Sequence, residues 1–424
     1  MQIPTTCHSS DGLRILPANR HSEVMVSYKT VYEYYRDQSV LPTHGNFKSE
    51  DELAAHERHR RHLFLDKLQL PPRLFREADL LEFGPDSGEN ALAFASWGAH
   101  CSLVEPNGQA HPCIREYFDR YGLTSQLTAL HKLSVEEYGA AVGTAKQFDF
   151  LVAEGFVYTI KPSSVWMDLF SSLLRPEGFL VFYFLETAGC FFELFLMAVH
   201  ARMKRLTGLG PVETSQLVFQ TKWDSIPHIR TLESWTMDVM ENPFIRLPYF
   251  NDTEDICRGL NAAGLSLYSS WPAIKHNADV YWHKTRLKPE DTRSRQERFL
   301  EHSRLSFFFG KTLFSMEPVP RALLGDILAT TDRLVDAFND SDSQALQAML
   351  EALGAFLRPE NLYGDVADQE AARQALASTI QLLQLLEAGD PATITDFCAT
   401  DHAFIHTWGM PTHYMVFTKQ APST

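Results

Sequence analysis

The chain has 424 residues, of which 45% are hydrophobic and 12% aromatic, so it can bury one large core or two smaller ones and is not disordered as a whole. Its formal net charge of −15 argues against duplex nucleic acid or an anionic membrane surface as the main partner, because both are bound by surfaces rich in Lys and Arg. The six cysteines show neither C-x-x-C pairs nor zinc-ligand spacing, which is typical of reduced thiols in a cytoplasmic protein.

Residues 1–70 are predicted to form a loose leader followed by two helices, without the basic start and apolar run of a signal peptide. The second helix begins at Ser49, which forms a capping box with Glu52, and it runs towards Leu68. The first helix is indicated by aromatic residues that recur at helical spacing, which are Tyr28, Tyr32 and Tyr35.

Residues 78–184 alternate strands and helices in the order that a parallel sheet requires. Apolar runs predict strands at Asp79–Phe83, Ser102–Glu105, Leu127–Leu130, Phe148–Ala153 and Leu180–Phe184. Amphipathic segments between them predict helices at Glu89–Trp97, Ala110–Tyr121 and Ser164–Leu174.

The chain after this sheet pattern is predicted to contain a helical insert, an irregular stretch and a closing hairpin. The insert runs from Cys190 to about Thr207. The most apolar stretch of the chain, Phe179 to Val199, is interrupted by Glu186 and Glu193, so it is not a membrane span. The later elements are an irregular stretch that follows this insert and contains residues 235–243, a helix at Asp252–Ala263 and a hairpin of Leu265–Trp271 with Val280–Lys284.

Residues 290–424 show apolar positions at helical spacing and predict a mainly helical region. This region ends in a strand-like run, Trp408–Lys419. The run either adds to the edge of the sheet or is the true last strand, with the helices inserted before it; we favour the edge.

A glycine-bounded turn connects the first predicted strand to the helix that follows. The strand ends in Glu82 and Phe83, and Gly84 and Gly88 bound the turn. The second strand ends in another acid, Glu105, twenty-one residues after Gly84. A nucleoside cofactor needs such an arrangement, because its tail lies against bare backbone and its ribose hydroxyls donate to a carboxylate.

Two phosphate-binding motifs are excluded by residue spacing. A dinucleotide fingerprint from Gly84 fails, because Asp86 and Glu89 stand at the second and third glycine positions and an acid in the turn repels a pyrophosphate. A phosphate loop ending at Gly310–Thr312 fails because Leu305 stands where its first glycine is needed.

The turn, the acid at residue 105 and the phrase Leu173–Val181 resemble motif I, the acidic motif and the fifth-strand phrase of class I S-adenosylmethionine-dependent methyltransferases. The resemblance covers roughly residues 75 to 285. It implies an α/β, Rossmann-like sheet that is mostly parallel with an antiparallel last strand. The expected regions are a leader and helical lid at 1–70, a cofactor-binding domain at 71–289 and a mainly helical region at 290–424.

The resemblance implies roles for residues of the turn and the strand ends. Glu105 is expected to bind the ribose hydroxyls and Glu82 the amino group of S-adenosylmethionine. Gly84 and Gly88 are expected to let the backbone approach the methionyl chain, and Asp86 stands at the middle position of the turn, where the family has glycine.

Three further residues are assigned to the cofactor, each with a structural alternative. Asn90 either caps the turn or contacts the carboxylate tail of S-adenosylmethionine. Ser134 and Val135 fall where the family places adenine contacts, although Ser134 with Glu137 also forms an ordinary capping box.

The acceptor and catalytic residues are expected at the fourth strand end and in the flanking segments. Glu154 ends the fourth strand, which faces the methyl group in this family, and is assigned to both cofactor and catalysis; Tyr158 follows as a second catalytic candidate. A solvated loop Glu and a packed core are the alternatives. The residues assigned to the substrate are Tyr32, Tyr35, His44, Trp235, Asp238 and Asn242.

Three histidines on the charged helix, at positions 56, 59 and 62, do not predict a metal site. The pattern H-E-x-x-H fails because residue 60 is Arg, and the neighbouring arginines repel a cation. We expect a solvated helix face there and no metal.

The resemblance implies methyl transfer to an oxygen, nitrogen or sulfur nucleophile of a small metabolite, of the kind made in secondary metabolism. One alternative is cyclisation of S-adenosylmethionine to a cyclic amino acid with release of methylthioadenosine. Another is a cofactor-binding partner protein without turnover. The partner expected from the sequence is a small molecule, with no nucleic acid or membrane, and the oligomeric state is left open.

Overall fold

The computed structural model describes residues 29–38, 49–143, 146–227, 230–274 and 289–420. The strands of these residues are β1 (Asp79–Phe83), β2 (His100–Val104), β3 (Leu127–His131), β4 (Phe148–Ala153), β5 (Leu174–Leu185), β6 (Leu265–Trp271), β7 (Leu313–Ser315), β8 (Leu362–Gly364) and β9 (Thr412–Lys419). The α-helices are α1 (Val31–Asp37), α2 (Glu50–His62), α3 (Glu89–Ser96), α4 (Ala110–Arg120), α5 (Val135–Ala141), α6 (Ser164–Leu173), α7 (Phe191–Thr207), α8 (Pro211–Asp224), α9 (Leu232–Trp235), α10 (Thr253–Ala262), α11 (Pro289–Phe309), α12 (Arg321–Asp336), α13 (Asp340–Gly354), α14 (Val366–Ala388), α15 (Pro391–Thr400) and α16 (His402–His406).

Within the described ranges, seven strands form one sheet in the order β3-β2-β1-β4-β5-β9-β6. Strands β1 to β5 pair in parallel, and β9 is antiparallel to both of its neighbours. The strand order reverses between β1 and β4, which is where α/β sheets bind ligands at their carboxyl ends. The predicted α/β fold class is confirmed.

Both faces of the sheet are covered, which explains the apolar runs that predicted its strands. On one face, beneath α2, α3 and α4, Phe75 stacks on Phe150 of β4 with ring centroids 4.2 Å apart. On the other face, Trp166 of α6 packs on Phe182 of β5 at 5.3 Å, and this core continues into the C-terminal helices. Among the described helices, none combines the length and the apolar character needed to cross a bilayer.

Strand β9 lies inside the sheet, so the prediction that it adds to the sheet edge is wrong. It pairs with β5 from Phe179↔Thr418 to Leu185↔Thr412, and β6 pairs with its other side. Residues 415–417 are all buried, because an interior strand is covered on both faces. Helices α11 to α16 are therefore an insertion between the last two strands of the sheet.

Two further predictions differ from the structure. The partner of Leu265–Trp271 is β9, whereas the predicted hairpin strand, residues 280–284, lies outside the described residues. The stretch predicted to be irregular contains α8, which begins at Pro211 and buries Phe219 and Trp223. Few apolar residues repeat at helical spacing in α8, so packing on α7 and α15 stabilises it more than its own pattern does.

Two glycines let the segment before β9 cross the start of α7. A Cβ at Gly189 would overlap the carbonyl oxygen of Met410, and a Cβ at Gly409 would overlap the carbonyl oxygen of Gly189. Only glycine permits such an approach of two backbones. The crossing fixes where β9 enters the sheet.

We expect deletion of residues 412–424 to abolish cooperative folding. Without β9, β6 loses its strand partner among the described residues and β5 loses one of its two, and unpaired edges promote aggregation. Thermal unfolding followed by circular dichroism, with size-exclusion chromatography, measures the effect. Deletion of residues 420–424 is the matched control, and equal unfolding temperatures for the two truncations would contradict the prediction.

Candidate functional site

A cavity of about 710 Å³ opens at the carboxyl ends of β1, β2 and β4, next to the reversal of strand order. Its volume is in the usual range for small-molecule sites. Gly84, Glu105 and Glu154, each directly after one of these strands, contribute to its wall. The three strand ends that the sequence singled out therefore meet in one place.

The turn after β1 is held in shape by Glu105. The side chain of Glu105 accepts hydrogen bonds from the amide of Asp86 at 3.1 Å and from the amide of Asn107 at 2.7 Å. Gly84 and Asp86 both adopt left-handed backbone conformations, with φ of +66° and +50°. Asp is among the few residues that tolerate this backbone region, so the turn keeps its shape with Asp86 at its middle position instead of glycine. Burial raises the pKa of Glu105 to about 8.

Glu82 lies beneath the cavity, next to its wall. It is 1% exposed, and its Oε2 atom has no hydrogen-bond partner among the described residues. Burial first, and then the charge of Glu154, raises the pKa of Glu82 to about 8. A buried acceptor without a donor is costly and is expected where a ligand supplies the donor. The orphaned oxygen of Glu82, the turn after β1 and the acid Glu105 fit a nucleoside that carries an amino-acid chain, such as S-adenosylmethionine.

Arg60 of α2 and Glu154 form a buried, two-point ion pair at the cavity wall. The Nη1–Oε2 and Nη2–Oε1 distances are 2.8 and 2.6 Å, and the side chains are 4% and 6% exposed. The prediction that this part of α2 is a solvated face is therefore wrong for Arg60. The signal in the sequence was the spacing of Leu53, His56, Arg60 and Phe64, which places them on one helix face.

Asn90 connects the two helices beside the cavity to the strand end. Its amide nitrogen lies 3.4 Å from Oε2 of Glu154, and its Oδ1 lies 3.0 Å from Nε2 of His56. Burial and the nearby charge of Arg60 lower the pKa of His56 to about 4, so His56 is neutral at neutral pH. The N-cap residue of α3 is Gly88, so the alternative that Asn90 caps the helix is wrong.

Ser134 and Val135 contribute to the cavity wall, and Ser134 also begins α5. Its side chain accepts from the amide of Glu137, and the Glu137 side chain accepts from the amide of Ser134. The capping box is therefore confirmed, while the adenine contact stays a prediction.

The far end of the cavity is built around Asp238. Its Oδ1 accepts a 2.7 Å hydrogen bond from the hydroxyl of Tyr35, and its Oδ2 accepts one of 2.8 Å from Arg230. Asn242 is fully buried behind this wall and donates to the Tyr35 hydroxyl at 3.4 Å. Helix α1 is thereby tied to the segment after α9.

Tyr158 and Trp235 line the cavity but differ in their surroundings. Trp235 packs against Trp223 at 5.2 Å and Trp408 at 6.2 Å, so most of its ring belongs to the core. Burial, followed by the proximity of Tyr183, raises the pKa of Tyr158 well above its usual value. Tyr158 therefore keeps its proton at neutral pH and can donate a hydrogen bond.

Most of the residues assigned from the sequence lie on this one cavity. Those on its wall are Gly84, Asp86, Asn90, Glu105, Ser134, Val135, Glu154, Tyr158, Tyr32, Tyr35, Trp235 and Asp238. Those behind the wall are Glu82, Asn242 and Gly88; a Cβ on Gly88 would face Ile114 of α4 rather than the cavity. His44 lies outside the described residues. The wall residues that sequence reasoning missed include Arg60, Tyr183, Glu193, Arg230 and Tyr414.

Comparison with known proteins gives one family match. The sequence model of a family described as "Methyltransferase domain" matches residues 54–270. A search among curated proteins finds no significant match.

Solved structures with similar architecture include several methyltransferases. A protein described as a sarcosine dimethylglycine methyltransferase from Galdieria sulphuraria is 10% identical, with a TM-score of 0.35 over 85% of this chain and 86% of that one. The N-methyltransferase NodS from Bradyrhizobium japonicum is 17% identical, with a TM-score of 0.28 over 38% and 75%. The magnesium protoporphyrin IX methyltransferase of Synechocystis is 10% identical, with a TM-score of 0.34 over 57% and 86%. Similarity at this level carries no information about the acceptor.

We expect Glu82 to make the stability of the ligand-free protein fall as pH rises between about 5 and 8. Its carboxyl keeps a proton up to about pH 8 in the folded chain but loses it near 4.5 when unfolded, so the folded state binds more protons in this window. Replacement by Gln should make the fall shallower by up to about 1.4 kcal/mol per pH unit.

Urea unfolding at several pH values, for the wild type and Glu82→Gln, measures this difference in slope. The exposed residue Glu351 gives the control variant Glu351→Gln, which should leave the slope unchanged. Parallel curves for wild type and Glu82→Gln would show that Glu82 is ionised in the folded protein.

Proposed function

The chain belongs to the methyltransferase domain family, whose sequence model matches residues 54–270, and we propose that it methylates an oxygen, nitrogen or sulfur nucleophile of a small metabolite. As a member, it is an S-adenosylmethionine-dependent transferase. The observation that carries the proposal is the single cavity, whose wall runs from the turn at Gly84 to the Tyr35–Asp238 pair. It offers a cofactor side at the strand ends and a separate side for an acceptor.

The cofactor side is proposed to hold S-adenosylmethionine, which supplies an electrophilic methyl group on a sulfonium. Glu105 would accept from the ribose hydroxyls, and Glu82, which lies behind the wall with an orphaned oxygen, would accept from the ammonium group through a bridging water. Gly84 and Asp86 form the turn beside the methionyl chain. The acids in this region suit a cofactor that carries two positive charges, whereas a pyrophosphate would be repelled.

The acceptor side is proposed to orient the nucleophile and exclude water. Its aromatic wall includes Tyr35, Phe156, Tyr158 and Tyr183. Holding two reactants in line in a dry site accounts for much of the rate of a displacement reaction. Tyr158, kept protonated by burial, is suited to donate a hydrogen bond to the acceptor rather than to remove its proton.

Glu154 is proposed to act as a positioning residue. Both of its carboxylate oxygens are hydrogen-bonded to Arg60, and Oε2 also lies 3.4 Å from Asn90 and from the Tyr414 hydroxyl. These donors hold the carboxylate in one orientation at the cavity wall.

The N-terminal segment is proposed to cover the cavity as part of a lid. The described part, α1, is held by hydrogen bonds from Tyr34 to the carbonyl of Met237 at 2.5 Å and from Tyr35 to Asp238. Asn242 also donates to Tyr35, and Val31 and Tyr34 pack against Phe244, so the segment of residues 237–244 would have to release α1 when a ligand enters. The division of the chain into a leader and lid at 1–70, a cofactor-binding domain at 71–289 and a helical region at 290–424 stays a proposal.

The setting of the reaction is also a proposal. We propose secondary metabolism in a reducing, cytoplasmic compartment with a small-molecule acceptor. The cysteines in the described part of the chain are all free and buried, which supports a reducing compartment. The net charge of −15 supports an acceptor other than a nucleic acid.

We expect the protein to form adenosylhomocysteine when it is incubated with S-adenosylmethionine and a small-molecule extract of its source organism. A deuterated methyl group on the cofactor makes the product visible by mass spectrometry as a metabolite three mass units heavier than its unlabelled form. Methylthioadenosine in place of adenosylhomocysteine would mean cyclisation. Binding with neither product would favour a partner protein without turnover.

We expect Glu105→Ala to weaken S-adenosylmethionine binding by about 1–3 kcal/mol, the cost of leaving buried hydroxyl donors without their acceptor. Isothermal titration calorimetry measures the change, and circular dichroism checks that the variant is folded. Asp119→Ala, an exposed acid on α4, is the matched control and should bind as the wild type does. Unchanged affinity of the Glu105 variant would remove Glu105 from the cofactor site.

A further inference from the structure

Glu193 stands at the cavity wall in a helix segment that is otherwise apolar. It lies in the first turn of α7, and the other residues from 191 to 199 are buried and hydrophobic. Glu193 itself is half-buried and lines the cavity. Within the described ranges its side chain forms no hydrogen bond and no ion pair.

A carboxylate in this position is costly to the folded protein. Burial first, and then the charge of Asp238, raises the pKa of Glu193 to about 7. The start of α7 offers only a small favourable dipole effect. Because an apolar residue would fill the same place without a desolvation penalty, the carboxylate is expected to serve a ligand.

The nearby charged groups do not neutralise Glu193. Arg230 donates to Oδ2 of Asp238 and to the hydroxyl and carbonyl of Ser234. Asp238 uses its other oxygen for the hydroxyl of Tyr35. Glu193 is thus the acid at this end whose oxygens have no hydrogen-bond donor in the described part of the chain.

Aromatic rings surround the same end of the cavity. Tyr35, Tyr158 and Tyr183 line it, and Tyr158 interacts electrostatically with Glu193. The faces of such rings attract organic cations. A carboxylate with free acceptor capacity beside tyrosine rings is complementary to an ammonium group on a partly apolar molecule.

We propose that the acceptor is an amine-bearing small molecule and that Glu193 binds its ammonium group. The proposal rests on the proposed function, since it assigns the acceptor side of the same cavity. A carboxylic acid at this position would be repelled by Glu193, and a neutral alcohol would gain neither the ion pair nor the attraction to the rings. Glu193 is therefore the specificity-determining residue of the acceptor side.

Paired probes test the proposal. 2-Phenylethylamine and 2-phenylethanol have the same size and differ in the charged group. Binding of adenosylhomocysteine to the full chain is measured first. The chain is then saturated with adenosylhomocysteine, and isothermal titration calorimetry measures the affinity for each probe. We expect the amine to bind at least about tenfold more tightly than the alcohol, the lower bound for hydrogen bonds between charged groups.

Three variants test whether Glu193 causes the preference for the amine over the alcohol. Glu193→Gln should abolish the preference for the amine, whereas Glu193→Asp, which keeps the charge, should retain part of it. Glu233→Gln, an exposed acid on α9 that does not line the cavity, should behave as the wild type does. Circular dichroism and adenosylhomocysteine affinity verify that each variant is folded.

The outcomes separate the two proposals. Equal binding of the two probes, no binding of either, or a preference unchanged by Glu193→Gln would overturn the amine proposal and leave methyl transfer standing. Failure of the wild type to bind adenosylhomocysteine would count against the proposed function, and the amine proposal would fall with it.

Discussion

The buried pair of Arg60 and Glu154 is the interaction on which the site depends. It joins α2 to the end of β4, and through Glu154 it also reaches Asn90 of α3 and Tyr414 of β9. Removal of either partner of a buried pair leaves an uncompensated charge, which costs several kcal/mol. Four elements from distant parts of the chain are thus held in register by one ion pair at the cavity wall.

The buried acids at the cavity differ in whether their carboxyl groups already have hydrogen-bond donors. Glu105 is occupied by backbone amides and shapes the turn, whereas Glu82 and Glu193 keep acceptor capacity that the described residues do not use. Asp238 is neutralised by Arg230. Glu82 and Glu193 therefore lie at positions where we expect the cationic groups of small molecules to bind.

Sequence reasoning succeeded where the signal was local. The boundaries of Asp79–Phe83 and Phe148–Ala153 were predicted correctly because runs buried on both faces are apolar throughout. The cavity wall was predicted in large part because parallel strands bring their carboxyl ends together. Arg60 and Glu193 were missed because their burial depends on elements far away in the sequence, and the place of β9 depends on pairing that no local pattern encodes.

The position of β9 has a consequence for biosynthesis. The 226 residues from 186 to 411 separate β5 from the strand that pairs with it. While the ribosome makes this stretch, the edge of the nascent sheet at β5 has no partner. Pairing of this edge with β9 requires contacts between residues that are far apart in the sequence. The sheet can be completed only after the helices between β6 and β9 have been translated, which makes chaperone protection of that edge valuable during synthesis.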